Sequence, residues 1–140
     1  MLTRRNPLQQ IYKYFIYPNV KTFKNFEDML SEIDACVIAT SGGSHYEIAK
    51  KALEADKDVY VEKPLTRSAK TSKDLIELAK KKNRILMVGH ILLYHPAVRE
   101  LKKILEDGVL GDVRYIYAQR LNLGRIREDE DALWSLGPHD

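Results

Sequence analysis

A single cysteine, Cys36, stands in the 140 residues, so no internal disulfide can form. Its place in the apolar run Ala35–Ala39 reads as that of a small buried hydrophobe. No apolar stretch approaches the about 18 residues that a bilayer-spanning helix needs. Met1–Gln10 lacks the apolar core of a signal peptide, so the reducing cytoplasm is the expected location, with no membrane partner. No glycine precedes Gly42. Neither a Gly-x-Gly-x-x-Gly fingerprint nor a Walker loop occurs. Absent too are a Cys/His set at zinc-ligand spacing, a nucleophile elbow and a pair of catalytic carboxylates, so no metal is expected. A strong excess of either charge is absent too, 23 Lys and Arg standing against 20 Asp and Glu for a formal net of +3. The densest basic run, Lys80, Lys81, Lys82 and Arg84, falls at the end of an expected helix and suits the helix dipole. No aromatic residues interleave with it, which argues against a nucleic-acid partner.

What is present is 44% hydrophobic and 31% charged, an ordinary globular balance. Leu8–Tyr17 has Ile11, Tyr12 and Phe15 on one helical face and ends at Pro18-Asn19. Val20–Phe23 reads as a short strand, and Asn25 as the cap of a helix bearing Phe26, Met29 and Leu30. Asp34–Thr40 is apolar throughout, which predicts a strand buried on both faces of a parallel sheet. Ser41-Gly42-Gly43 breaks it. Ser44 and Glu47 then have the spacing of a capping box, opening a helix with Ile48, Ala49, Ala52 and Leu53 on one side. Asp58–Glu62 returns as a strand and stops at Pro64. Thr71 with Asp74 starts a further helix, with Leu75, Ile76, Leu78 and Ala79 inward. Ile85–Val88 is a third buried strand. Pro96 suits the first turn of a helix from Ala97 to Glu106, with Val98, Leu101, Ile104 and Leu105 inward and Gly108 at its end. Val113–Leu121 alternates as a strand. The β-α-β alternation from residue 34 onward implies a parallel α/β sheet.

Ligands of open parallel sheets bind beyond the carboxyl ends of the strands. Three such ends are polar: Thr40–His45, Glu62-Lys63-Pro64, and Gly89-His90 with Tyr94-His95-Pro96. A lysine at a sheet mouth can hydrogen-bond a substrate hydroxyl and stabilise the alkoxide formed on hydride loss; the competing reading of Lys63 is a surface lysine paired with Glu62. His139 has a side chain that titrates near neutrality and can take a hydroxyl proton, or is incidental in a terminal segment. His45 is either a ligand contact or a helix-start residue facing solvent. Gly42-Gly43 before a helix can cradle a phosphate.

Taken in order, Cys36–Thr40, His45, Asp58–Leu65 with its Glu62-Lys63-Pro64, Val88-Gly89-His90, Tyr94-His95-Pro96 and Gly108–Gly111 resemble the Gfo/Idh/MocA oxidoreductases, over about Val20 to Asp140. Arg120, Asn122, Gly124 and Leu133–Asp140 look like the branch acting on UDP-N-acetyl hexuronates and related amino sugars at C3. The resemblance implies a partial Rossmann-like parallel sheet over residues 1–93, with its central first and second strands missing. Residues 94–140 would begin an α+β substrate and oligomerisation domain. It makes Lys63 the catalytic lysine and His139 the histidine beside the carbinol, leaving open which is the base. It sets Thr40, Ser41, His45, Glu62 and Lys63 along the nicotinamide-ribose side of NAD or NADP, and Arg120 and Asn122 at the substrate. It implies a homo-oligomer at full length.

Departures accompany the likeness. Ser41 stands where proline is usual after Thr40, Asp56 where a helix-ending glycine is common, and Ser135 where many relatives carry aspartate. The glycine-rich pyrophosphate loop is absent, so the expectation is a truncated dehydrogenase of a sugar hydroxyl, with little activity alone. Two other readings are a non-catalytic sugar-phosphate module using Ser41–Ser44 and an inactive structural fragment whose open strand edge pairs between chains.

Overall fold

The computed structural model describes residues 21–119 and Gly137. The helix expected at Leu8–Tyr17 and the site residues Arg120, Asn122 and His139 lie outside the described residues. The chain divides into two compact units, residues 1–87 and 88–140.

β1 (Ala35–Ile38), β2 (Asp58–Val61) and β3 (Leu86–Val88), all but the last residue within the first unit, form one sheet in that order, with α1 (His45–Glu54) and α2 (Ala69–Lys82) as the crossovers. This is the parallel α/β order of a partial Rossmann-like domain. β1 and β2 pair in parallel, Ala35 opposite Asp58 and Ile38 opposite Val61. Beyond the last pair, the Glu62 N–H donates to the Ile38 carbonyl at 2.9 Å. Among the described residues β1 is an edge strand.

The core is one-sided. Cys36, Ile38, Val59 and Val61 turn inward against Ile48, Ala49, Ala52 and Leu53 of α1 and Leu75 and Ala79 of α2. Leu53 and Leu75 are fully buried, each a gain of about 1.5–3 kcal/mol. Burial raises the Cys36 thiol above its ordinary range. The expectation that β1 is covered on both faces is corrected, because alternate residues lie open and Val37 is 66% exposed. Both helices spend their apolar stripes on the same face of the strands. Ile76, expected inward, is exposed.

Local chemistry moves several expected boundaries. Lys21–Phe23 carries no strand, and Glu27–Glu32 is a 3-10 helix in which Asn25 bonds Asp28 rather than capping the backbone. Ser44 and Glu47 make no capping box: a 3-10 turn at Gly42–Ser44 runs straight into α1, so Ser44 lies inside the helical turn and its hydroxyl donates back to the Ser41 carbonyl at 2.9 Å. The start of α2 is set by Ser68, whose hydroxyl accepts from the Lys70 N–H, and not by Thr71. Both helices end in a left-handed residue. Asp56 (φ 59°) closes α1, with Lys57 N–H on the Ala52 carbonyl; Asn83 (φ 52°) closes α2, with Arg84 N–H on the Ala79 carbonyl.

In the second unit, α3 (Pro96–Glu106) follows a 3-10 turn at Ile91–Tyr94. Pro96 occupies its first turn and the His95 ring nitrogen Nδ1 accepts from the Ala97 N–H at 3.2 Å. Its expected inward stripe is uncovered: Leu101 is 53% exposed and no residue of α3 is buried. The strand expected at Val113–Leu121 is not formed over 113–119, where no ladder partner is supplied among the described residues.

Aspartate tolerates the left-handed conformation where a β-branched residue does not. Asp56→Gly is therefore expected to leave stability within about 1 kcal/mol, its easier backbone offsetting the lost ion pair to Lys82. Asp56→Val should cost about 1–2 kcal/mol, read from urea denaturation midpoints.

Candidate functional site

The carboxyl ends of β1 and β2 carry most of the expected site. Carrying the β1–β2 register on by two residues sets Thr40 opposite Lys63. Thr40, Glu62 and Lys63 are half-buried, and Ser41 is exposed. The Thr40 and Ser44 hydroxyls share a 2.7 Å hydrogen bond, which ties the strand end to the turn before α1.

His45 links the two strand ends. The residue is 1% exposed, against the alternative of a histidine facing solvent. Nδ1 lies 2.7 Å from the Pro64 carbonyl oxygen and Nε2 lies 3.1 Å from that of Thr40. A neutral imidazole carries one N–H, so it satisfies one carbonyl when neutral and both when protonated. Both ring nitrogens thus face backbone carbonyls, one from each strand end.

The Lys63–Pro64 peptide is cis. Downstream, the buried Thr66 hydroxyl donates to the Ser68 carbonyl (2.8 Å) and accepts from the Thr71 hydroxyl (2.8 Å) and the Ser68 N–H (3.2 Å), with the Ser72 hydroxyl also at 2.8 Å. The lysine turn is thus fixed to the first turn of α2. Nothing in the motif reading picked out Thr66, although Thr66-x-Ser68 before a helix has the pattern of a hydroxyl-led turn. Arg67 was missed as well. A Cβ placed on Gly43 would stand 3.7 Å from an Arg67 guanidinium nitrogen, and one on Gly42 would stand 3.5 Å from Pro64 Cδ, so both glycines lie close against the lysine turn.

On the neighbouring helix faces, the Tyr46 hydroxyl donates to Asp74, and that bond, more than burial, holds the phenol above its ordinary range. The pair straps α1 to α2. An open hollow of about 420 Å³ is lined by Ile76, Ala79, Lys80, Asn83, Arg84 and Leu86, and contains none of the expected site residues. Gly89-His90 and Tyr94-His95-Pro96 belong to the second unit, where His95 serves as the cap of α3. Among the described residues no three His, Cys, Asp or Glu side chains gather as a metal-binding group.

The GFO_IDH_MocA family profile, described as an oxidoreductase family with an NAD-binding Rossmann fold, matches residues 5–90. The chain is 31% identical over 121 residues to UDP-N-acetylglucosamine 3-dehydrogenase of Acidithiobacillus ferrooxidans, covering 86% of this chain and 37% of that protein. It is 36% identical over 93 residues to inositol 2-dehydrogenase/D-chiro-inositol 3-dehydrogenase of Lactiplantibacillus plantarum, covering 64% of this chain and 27% of the relative. A 3-ketoreductase from Actinomadura kijaniata, solved with TDP-benzene and NADP, superposes with a TM-score of 0.60 at 30% identity, over 64% of this chain and 29% of that one. The chain thus spans well under half the length of these relatives.

Removing the Thr66 hydroxyl would leave buried partners unpaired, at about 1–3 kcal/mol. Thr66→Val is expected to lower the urea midpoint accordingly, and Thr66→Ser to restore most of it.

Proposed function

The chain belongs to the Gfo/Idh/MocA oxidoreductases, NAD-binding proteins of Rossmann fold, and from that premise we propose that it carries the lysine side of a site that oxidises a sugar hydroxyl, at C3 of a nucleotide-linked amino sugar. The observation that supports this most is the placing of Lys63: it stands two residues beyond the carboxyl end of β2, in a turn tied by His45 on one side and Thr66 on the other. The named substrates of similar proteins, UDP-N-acetylglucosamine and inositols, support a polyhydroxylated substrate.

The residues at the strand ends fit the nicotinamide-ribose half of NAD or NADP. Thr40 and Ser41 offer hydroxyls, Glu62 a carboxylate for ribose hydroxyls and Lys63 an ammonium, while Gly42 and Gly43 keep the turn low. The bound cofactor would supply the hydride acceptor. In this reading the Lys63 ammonium hydrogen-bonds the carbinol oxygen and stabilises the negative charge that grows there as the hydride departs. His139 is the partner that receives or relays the hydroxyl proton, and Arg120 and Asn122 hold the sugar. Residues 94–140 open the substrate domain, and the working protein is a cytoplasmic homo-oligomer.

A second reading takes a sugar phosphate alone, without nucleotide, at Ser41–Ser44; the Arg67 guanidinium beside Gly43 favours it.

Titration of the chain with NADH, followed by nicotinamide fluorescence, separates these. Saturable binding weakened about tenfold by Lys63→Ala, a loss near 1.4 kcal/mol, is the expected result. The dehydrogenase reading is sunk for this chain if no saturation appears up to about 1 mM, an affinity of only about 4 kcal/mol. Binding of a sugar phosphate that is indifferent to Lys63→Ala would favour the second reading.

A further inference from the structure

We infer that His45 is a positioning residue that sets the lysine turn through the Pro64 carbonyl, rather than a residue that touches cofactor or substrate. The inference rests on the reading of Lys63 as the catalytic lysine. Proline has no N–H, so the carbonyl is the one backbone group through which Pro64 can be tied. That carbonyl receives the shorter of the two His45 contacts, 2.7 Å against 3.1 Å for Thr40. The neighbouring anchors are Glu62 N–H on the Ile38 carbonyl and the Thr66 hydroxyl cluster. Between them, Lys63 is followed directly by the residue that His45 holds.

Packing alone does not explain the side chain. A fully enclosed imidazole costs more to desolvate than a leucine of similar volume unless its polar atoms are used. Here both ring nitrogens face carbonyls from two different strand ends, so the N–H of the ring meets an acceptor on whichever nitrogen carries it. Moreover, His45 is the first residue of α1, whose Ile48, Ala49, Ala52 and Leu53 are buried in the core. The turn is thereby referenced to the packed core of the unit. Any shift of Pro64 away from α1 would leave a buried ring nitrogen without its partner.

The test compares His45→Asn, His45→Gln and His45→Leu in the 140-residue chain. An asparagine amide reproduces a donor at the place of Nδ1, and a glutamine amide one at the place of Nε2. The readout is competitive acetylation of Lys63 against the exposed Lys70, with urea midpoints measured alongside. The expected result is a Lys63/Lys70 ratio kept within about twofold by Asn and moved about fivefold or more by Gln and Leu, the size expected for loss of one buried hydrogen bond. Equal ratios in Asn and Gln, or changes in the urea midpoint alone, would make His45 a packing residue and overturn the inference. Should the variants fail to fold, the imidazole nitrogen shifts of the unaltered chain decide: a proton on Nδ1 sustains the inference, and one on Nε2 alone ends it. NADH titration keeps the two readings apart. If the Asn/Gln pattern holds while NADH affinity ignores both His45→Leu and Lys63→Ala, the positioning stands and the role given to Lys63 falls.

Discussion

Ala49 and Ala52 bring nothing larger than a methyl group to the sheet, and both are wholly buried. That small-residue contact lets α1 lie close over Cys36, Ile38, Val59 and Val61, and it fixes the distance at which the helix meets the two strands. The parallel register of β1 and β2 requires a crossover of this kind, because strands running the same way cannot be joined by a hairpin. Once the helix is seated, its first residue is carried to the strand ends, and the remaining features of the site are arranged around that point. Leu75 and Ala79 of α2 complete the same layer, and the Tyr46–Asp74 bond ties the two helices at their outer side.

The polar groups near Lys63 are held chiefly by backbone atoms. Carbonyls of Ile38 and Ser68 each accept a bond from a neighbouring segment or side chain, and those of Thr40 and Pro64 both face the His45 ring. Such a frame resists displacement better than one built from exposed ion pairs. The surface pairs of this protein, such as Lys102 with Glu106, are worth at most about 1 kcal/mol and weaken with salt. A charge at the strand mouth therefore sits on a scaffold that the ionic strength of the medium scarcely alters.

Much of this order was legible in the residues. Strand and helix alternation, the Pro96 start of α3, the turn at Lys63-Pro64 and the inward set of α1 all follow from local pattern, because each depends on neighbours in sequence. The family likeness was legible for the same reason, since its motifs sit at strand ends. What could not be read depended on contacts far along the chain. An apolar run does not reveal whether one face or two will be covered, so Val37 was assigned to the interior although it lies open. The spacing Ser44–Glu47 suits a capping box, and the helix does open at His45, but the preceding 3-10 turn directs the Ser44 hydroxyl backward and no side-chain cap forms. His45 looked like a ligand contact or a solvent-facing residue because neither carbonyl it meets is evident from its neighbours. Thr66 drew no notice for the opposite reason, being an ordinary residue whose importance arises from four groups converging on one oxygen.

The strict alternation along β1 has a practical bearing on spectroscopy. Cys36 faces the packed layer and Val37, one position on, faces out. Transferring the thiol by that single step, with valine left in its place, would carry a reactive handle from the interior to the open face while preserving the volume of the core to within a methyl group. A spin label or fluorophore attached there would report on whatever approaches the uncovered side of the sheet, with the strand ends and their lysine left chemically untouched.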